Sequence, residues 1–182
     1  MGYLHEEGEV LPLDPRKARK LYKKSSKQGN EKAMYLLANL YYEKAEQTLA
    51  KKKTSDRFYN KAFQLYQKLS DEGNDDAICK LAMMYEGQKG IKQDLNLARK
   101  FYEEGVELGN QRCMMYLGDM YATGRGVKLD YKRAFQLYDQ AVQKGNKWAM
   151  AILAEMHFDG KGVPKSFENA SRLIHLAVGV KI

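Results

Sequence analysis

Histidine, cysteine and glycine-rich loops are the features of this 182-residue chain whose types and spacing could do chemistry. A metal site needs several His, Cys or carboxylate ligands spaced to meet at one point. His5, His157 and His175 stand far apart, none with a second ligand three or four residues away. Cys79 and Cys113 lack Cys-x-x-Cys spacing and are too few for a disulfide framework, although free thiols fit a reducing compartment. Gly87-Gln-Lys-Gly90, Gly124-Arg-Gly126 and Gly160-Lys-Gly162 invite comparison with phosphate-cradling loops. No strand pattern precedes them and no Gly-Lys-Ser/Thr follows, so they read as turns. No nucleophile, base and orienting group form a set, and no carboxylate pair marks acid–base work. Catalysis, a metal and a cofactor are therefore not expected, which leaves non-covalent recognition.

Charge is the next chemical resource. The formal net charge is +8, from 31 Lys and Arg against 23 Asp and Glu, and nearly all of the excess lies within residues 1–68. It concentrates on Arg16, Lys17, Arg19, Lys20, Lys23, Lys24 and Lys27, and on Lys51, Lys52 and Lys53 with Arg57. One reading is electrostatic docking of nucleic acid or an anionic membrane through residues 16–61; the competing one is a solvated helix back. The cluster lacks the interleaved exposed aromatics on which single-stranded nucleic acid stacks. No apolar run approaches the roughly 18 residues of a membrane span, and Glu6, Glu7 and Glu9 sit where a signal peptide needs an apolar core. The expected location is cytoplasmic.

Three landmarks keep one period. Gly-Asn recurs at 29–30, 73–74, 109–110 and 145–146, in steps of 44, 36 and 36. An alanine recurs at Ala18, Ala62, Ala98, Ala134 and Ala170, and the three glycine loops keep nearly the same spacing. A repeat of about 36 residues reads as a stacked helical array. The first helix of each unit starts after an asparagine N-cap (Asn30, Asn74, Asn110 or Asn146). Its apolar stripe runs through Leu37, Leu81, Leu117 and Leu153, each followed by a small residue that admits a neighbouring helix. The second helix is predicted to start at Asp14, at Ser55 or Asp56, and at Asp94, Asp130 and Ser166, and in the first four copies to stop at the next Gly-Asn. Nine or ten helices follow. The copy at 33–76 is eight residues longer, which predicts either a first helix extended by two turns or a protruding charged loop containing Lys51–Lys53.

Leu117-Gly118-Asp119-Met120-Tyr121, Gly124-Arg-Gly126-Val127, Asp130-Tyr131, Ala134, Tyr138, Ala141 and Gly145 together resemble the Sel1-like repeat, a cousin of the tetratricopeptide repeat. The resemblance covers nearly the whole chain: a partial repeat at 1–32, repeats at 33–76, 77–112 and 113–148, and a terminal one at 149–182. It implies an all-α fold, a right-handed α/α solenoid forming one repeat domain, whose first helices line a concave groove. It also implies an adaptor or scaffold in protein assemblies, signalling among them, with no active site. Some members carry a regular cysteine pair in each repeat; this chain does not. It opens mid-repeat, with Gly2, Gly8 and Asp14 aligning with Gly118, Gly124 and Asp130, and ends without a polar capping helix. Either it belongs to a longer repeat protein, or its uncapped ends stack or oligomerise.

If the first helices line the groove, residues just off their packing stripe face a partner. These are Lys32, Tyr35, Asn39 and Tyr42; Asp76, Cys79, Met83 and Glu86; Arg112, Met115, Asp119 and Ala122; and Trp148, Ala151, Glu155 and Phe158. They vary between copies at a fixed geometric position, which is where a repeat scaffold encodes a partner. The groove so drawn is mildly acidic with aromatic ends. Trp148, Tyr35, Tyr42 and Phe158 are the expected anchors, since such aromatics are enriched in binding hot spots. The competing reading is that some pack against the next repeat. Cys113 takes a small-residue slot and is expected to be buried, while Cys79 should face the groove. His157 takes a tyrosine slot and should be packed and hydrogen-bonded. The Asn169-Ala170-Ser171 sequon falls mid-helix on a core position.

Overall fold

The computed structural model describes residues 15–87 and 89–178; the side chains of Pro15 and Arg16, and the expected cap Asp14 with Gly2, His5 and Gly8, lie outside the described residues. Among the described residues there are nine helices and no strand: α1 (Pro15–Ser26), α2 (Glu31–Glu46), α3 (Lys52–Asp71), α4 (Asp75–Gly87), α5 (Leu95–Glu107), α6 (Gln111–Thr123), α7 (Tyr131–Gln143), α8 (Lys147–Asp159) and α9 (Phe167–Val178). Helices alternate with short turns throughout, the architecture of an all-α helical repeat solenoid. The chain divides into two compact units, Met1–Gln93 and Asp94–Ile182.

The helix boundaries follow from local chemistry. Asn30, Asn74, Asn110 and Asn146 each accept backbone N–H bonds at the start of α2, α4, α6 and α8; Asn110 takes those of both Arg112 and Cys113. Asp94 and Asp130 do the same for α5 and α7, and the Ser166 hydroxyl for α9. Each such cap contributes about 1 kcal/mol by satisfying an otherwise orphaned donor. Helix α6 stops at Gly124, whose φ of +69° belongs to the left-handed region that an L side chain resists.

The long copy departs from expectation. Its extra residues lengthen both helices: α2 has 16 residues and α3 has 20, against 13 in α4. Lys51–Lys53 thus form neither a first-helix extension nor a protruding loop; Lys51 is the N-cap residue of α3 and Lys52–Lys53 its first turn. Ser55 and Asp56, the alternative expected caps, both lie inside the helix instead, Ser55 buried, and no side chain caps α3. A run with strong helical preference simply propagates back past the weaker start signal, because lysine is a better helix former than serine.

Within unit 1, Ala18 and Tyr22 of α1 pack on Ala33 and Leu37 of α2, with Leu65 of α3 beside them. Within unit 2, Met114, Ala134, Tyr138, Ala149 and Leu153 form one core joining α6, α7 and α8. Gly118 explains the small-residue slot: a Cβ there would lie 2.7 Å from the Tyr138 ring.

Candidate protein-recognition surface

Two polar members of the candidate surface, Asn39 and Asp119, are held from behind by tyrosines of the second helices. In unit 1 the buried Tyr66 of α3 donates its hydroxyl hydrogen bond to Asn39 Oδ1 at 2.6 Å. In unit 2 Tyr138 of α7 donates to Asp119 Oδ1 at 2.7 Å. Burial pushes both phenols up, with the Asp119 carboxylate adding to the shift at Tyr138, so both remain neutral donors. One repeat position and one tyrosine position thus make the same contact in two copies. This orients Asn39 and Asp119 and spends one acceptor of each inside the protein.

The aromatic anchors divide by unit. Tyr35 lies against Tyr66 with ring centroids 6.0 Å apart, and Tyr42 meets Tyr59 edge-on at 5.4 Å. Both are half-buried against α3 of their own repeat rather than against the next one, and Lys80 Nζ of α4, in the next repeat, lies 5.4 Å over the Tyr42 ring. Trp148 and Phe158, by contrast, are 78% and 57% exposed, and Glu155 is exposed as well. Phe158 packs edge-on against Phe167 of α9 at 5.2 Å. Met83, Glu86 and Met115 are half-buried.

In unit 2 the starts of α6 and α8 enclose a cleft of about 480 Å³. Arg112, Met115 and Trp148, three residues of the candidate set, line it together with Tyr116 and Lys147. A smaller cleft of about 200 Å³ joins Ala122 and Glu155 to Tyr138. A cleft of about 670 Å³ beside the turn after α6 is walled by Tyr121, Val127 and Tyr131 and takes no candidate residue. The side chains named on the 480 Å³ cleft carry positive charge, Arg112 and Lys147, where the sum over all first helices is mildly acidic. Charge along the first helices is local, so the sum misstates the sign at this place.

Two expectations need correction. Cys79 does not face the groove: it is 2% exposed. Ala77, Ile78, Cys79, Leu81, Ala82 and Met84 are all buried, an arc of more than half the circumference of α4, so a position beside the stripe is covered too. His157 is packed, edge-on to Phe135 at 5.5 Å, but its buried Nδ1 finds no hydrogen-bond partner among the described residues. Cys113 is buried, as its small-residue slot requires, and Ala170 of the sequon is a core residue of α9.

The model of the Sel1 repeat matches residues 1–30, 31–74, 75–110, 111–146 and 149–177. The chain belongs to the Sel1 repeat family. Proteins of this family are generally protein-interaction scaffolds and typically non-catalytic. Among solved structures, a protective antigen of uropathogenic Escherichia coli strains is 24% identical over 89% of this chain, with a TM-score of 0.67; the chain spans 33% of that antigen. A Sel1 repeat protein from Oxalobacter formigenes is 25% identical over 88% of this chain and 75% of its own, with a TM-score of 0.64. An immunity protein from Pseudomonas aeruginosa is 16% identical over 97% of this chain and 77% of its own, at a TM-score of 0.53, which is a likeness of fold. A comparison with curated proteins finds no match. Among the described residues, no helix is long and apolar enough to cross a membrane and no group of three or more His, Cys, Asp or Glu could hold a metal.

The Sel1 register also shows what sequence reasoning missed. Tyr116 sits one position after Met115, at the register of Leu36, Lys80 and Ile152, and still reaches the cleft. Glu46, at the end of the lengthened α2, accepts from the Tyr59 hydroxyl at 2.5 Å and pairs with Lys89 at 2.9 Å. Burial works to raise the Glu46 carboxyl, but the bonds from Lys89 and Tyr59 hold it below the usual carboxylate value. The extra residues break the period here, so no periodic signal pointed to this trio.

Proposed function

We propose that the Sel1 repeats of this chain bind a partner protein through the first-helix surface, with the α6–α8 cleft as the principal recognition point. The carrying observation is that Arg112, Met115 and Trp148, scattered in sequence, line one cleft with Trp148 largely exposed. A large exposed aromatic beside a flexible thioether suits an apolar side chain of the partner, since aromatic and Met side chains are enriched at interface cores. Arg112 and Lys147 suit a carboxylate next to it. The chain thereby acts as an adaptor: rigid helix hairpins present a variable set of side chains, and recognition costs little ordering entropy. Asn39, Tyr42, Met83, Glu86, Asp119, Glu155 and Phe158 extend this surface within their own units.

Selection from a random peptide library tests the reading. The selected peptides should carry an aromatic or aliphatic residue near Asp or Glu. Trp148→Ala should weaken their binding at least about tenfold, the loss expected of a hot-spot aromatic, with helicity by circular dichroism unchanged. Arg112→Glu with Lys147→Glu should abolish the acidic preference. Peptides that bind the Trp148→Ala protein as well as the parent would refute the assignment.

A further inference from the structure

A second surface, in unit 1 and on second helices, stands independently of that cleft. Helices α1 and α3 adjoin there, with Leu65 of α3 packed beside Ala18 and Tyr22 of α1. Arg19 and Lys23 follow one another at i, i+4 on α1, and Lys27 continues the row just past its end. Lys53, Arg57 and Lys61 form the matching i, i+4, i+8 row on α3. Residues at this spacing share one helix face, and like charges so placed repel. The rows converge: burial, with Arg57, Lys23 and Arg19 close by, pushes the Lys61 ammonium below its ordinary value. Among the described residues, no carboxylate lies within ion-pair distance of Arg19, Lys20, Lys23, Lys24, Arg57 or Lys61. Helix α1 contains no acidic residue at all. The fold therefore holds a field of mutually repelling cations with no ion-pair partner among the described residues.

Two features choose among polyanions. Tyr41 of α2 and Phe58 of α3, the aromatics beside Lys61, are half-buried and stacked on each other at 6.2 Å. Lys61 Nζ covers them, 5.3 and 5.9 Å from their centroids, so they offer no platform to a nucleic-acid base. Exposed leucines border the cations instead. Leu21, 47% exposed, lies on the Lys17 and Lys24 side of α1, across the helix from Arg19 and Lys23, and Leu49, 55% exposed, lies in the turn just before Lys51–Lys53. A phosphodiester backbone gains nothing from exposed leucines, whereas a lipid interface takes up apolar side chains while lysine stems reach to its headgroups.

We propose that the outer face of α1 and α3, with the Leu49 turn, docks on an anionic lipid membrane surface. Cations near an anionic leaflet attract it additively, and the leucines add shallow apolar contact without a membrane span. The interaction is peripheral and weakens with salt.

Sedimentation with vesicles tests this on the full chain. The protein should bind phosphatidylcholine vesicles containing about one-third phosphatidylserine, and not pure phosphatidylcholine vesicles. Lys23→Glu with Arg57→Glu should lower the apparent affinity at least about 20-fold, whereas the same charge change at Lys132→Glu with Lys144→Glu in unit 2 should change it by less than about threefold. Leu21→Asn with Leu49→Asn should lower it about threefold or more while leaving its salt dependence intact. Absence of binding to the phosphatidylserine vesicles would overturn the proposal. So would equal losses from the two charge-reversed pairs, which would reduce the effect to net charge. No effect of the leucine pair, or binding of duplex DNA without binding of vesicles, would overturn it in favour of sequence-independent phosphate docking.

Discussion

At the scale of single residues, the Sel1 slots are set by close approach. Gly118 lies mid-helix, where alanine is intrinsically better by about 1 kcal/mol. Its Cβ, however, would stand 2.7 Å from Tyr138 Cε1, a ring that is buried. Overpacking a closed core costs about 1–3 kcal/mol, which exceeds the propensity gain. Gly118→Ala should therefore lower the midpoint of urea unfolding, and an unchanged or higher midpoint would show that the ring can move. The same tyrosine fixes Asp119, so packing and site orientation rest on one side chain.

At the scale of elements, the lengthened α2 and α3 carry a contact that the 36-residue copies have no room for. Glu46 accepts from Tyr59 and pairs with Lys89, which ties the end of α2 to α3 and to the stretch after α4. Its folded-state pKa lies below the ordinary 4.5. A depressed carboxyl contributes stability that is fully present above its unfolded-state value and is lost as pH falls through the folded one. Wild-type protein should therefore lose more stability than Glu46→Gln as pH drops from about 6 towards 3. Parallel stability-versus-pH curves from urea titrations would show that the trio contributes nothing through ionisation. Lys89 is part-exposed, so the effect is smaller than a buried pair would give.

At the scale of the whole molecule, the division into two compact units has a thermodynamic consequence. In a repeat protein stability is approximately a sum of local terms and terms between neighbours, so an injury stays near its site. In Gly118→Ala, amide exchange should accelerate in α6 and α7 while α2 and α3 retain their protection. Uniform acceleration across both units would mean that the chain opens as one cooperative block.

The period was legible in the sequence because caps and packing slots are local. Asn110 caps α6 and Gly124 ends it through forces reaching only three or four residues, and each recurs with the repeat. The same locality misled at Ser55: a hydroxyl at the expected offset is a capping signal only if the helix has not already begun. Which side of a first helix meets a partner was legible only as a stripe. Burial of Cys79 depends on how many helices surround α4, and the cleft uniting Arg112, Met115 and Trp148 depends on how α6 and α8 lie together. The sequence by itself thus determined the repeat, the helices and, outside the lengthened copy, their capped starts, since these are written in neighbouring residues. The tertiary structure alone decided which side chains remain in water and which charges converge, since contacts between distant residues set both.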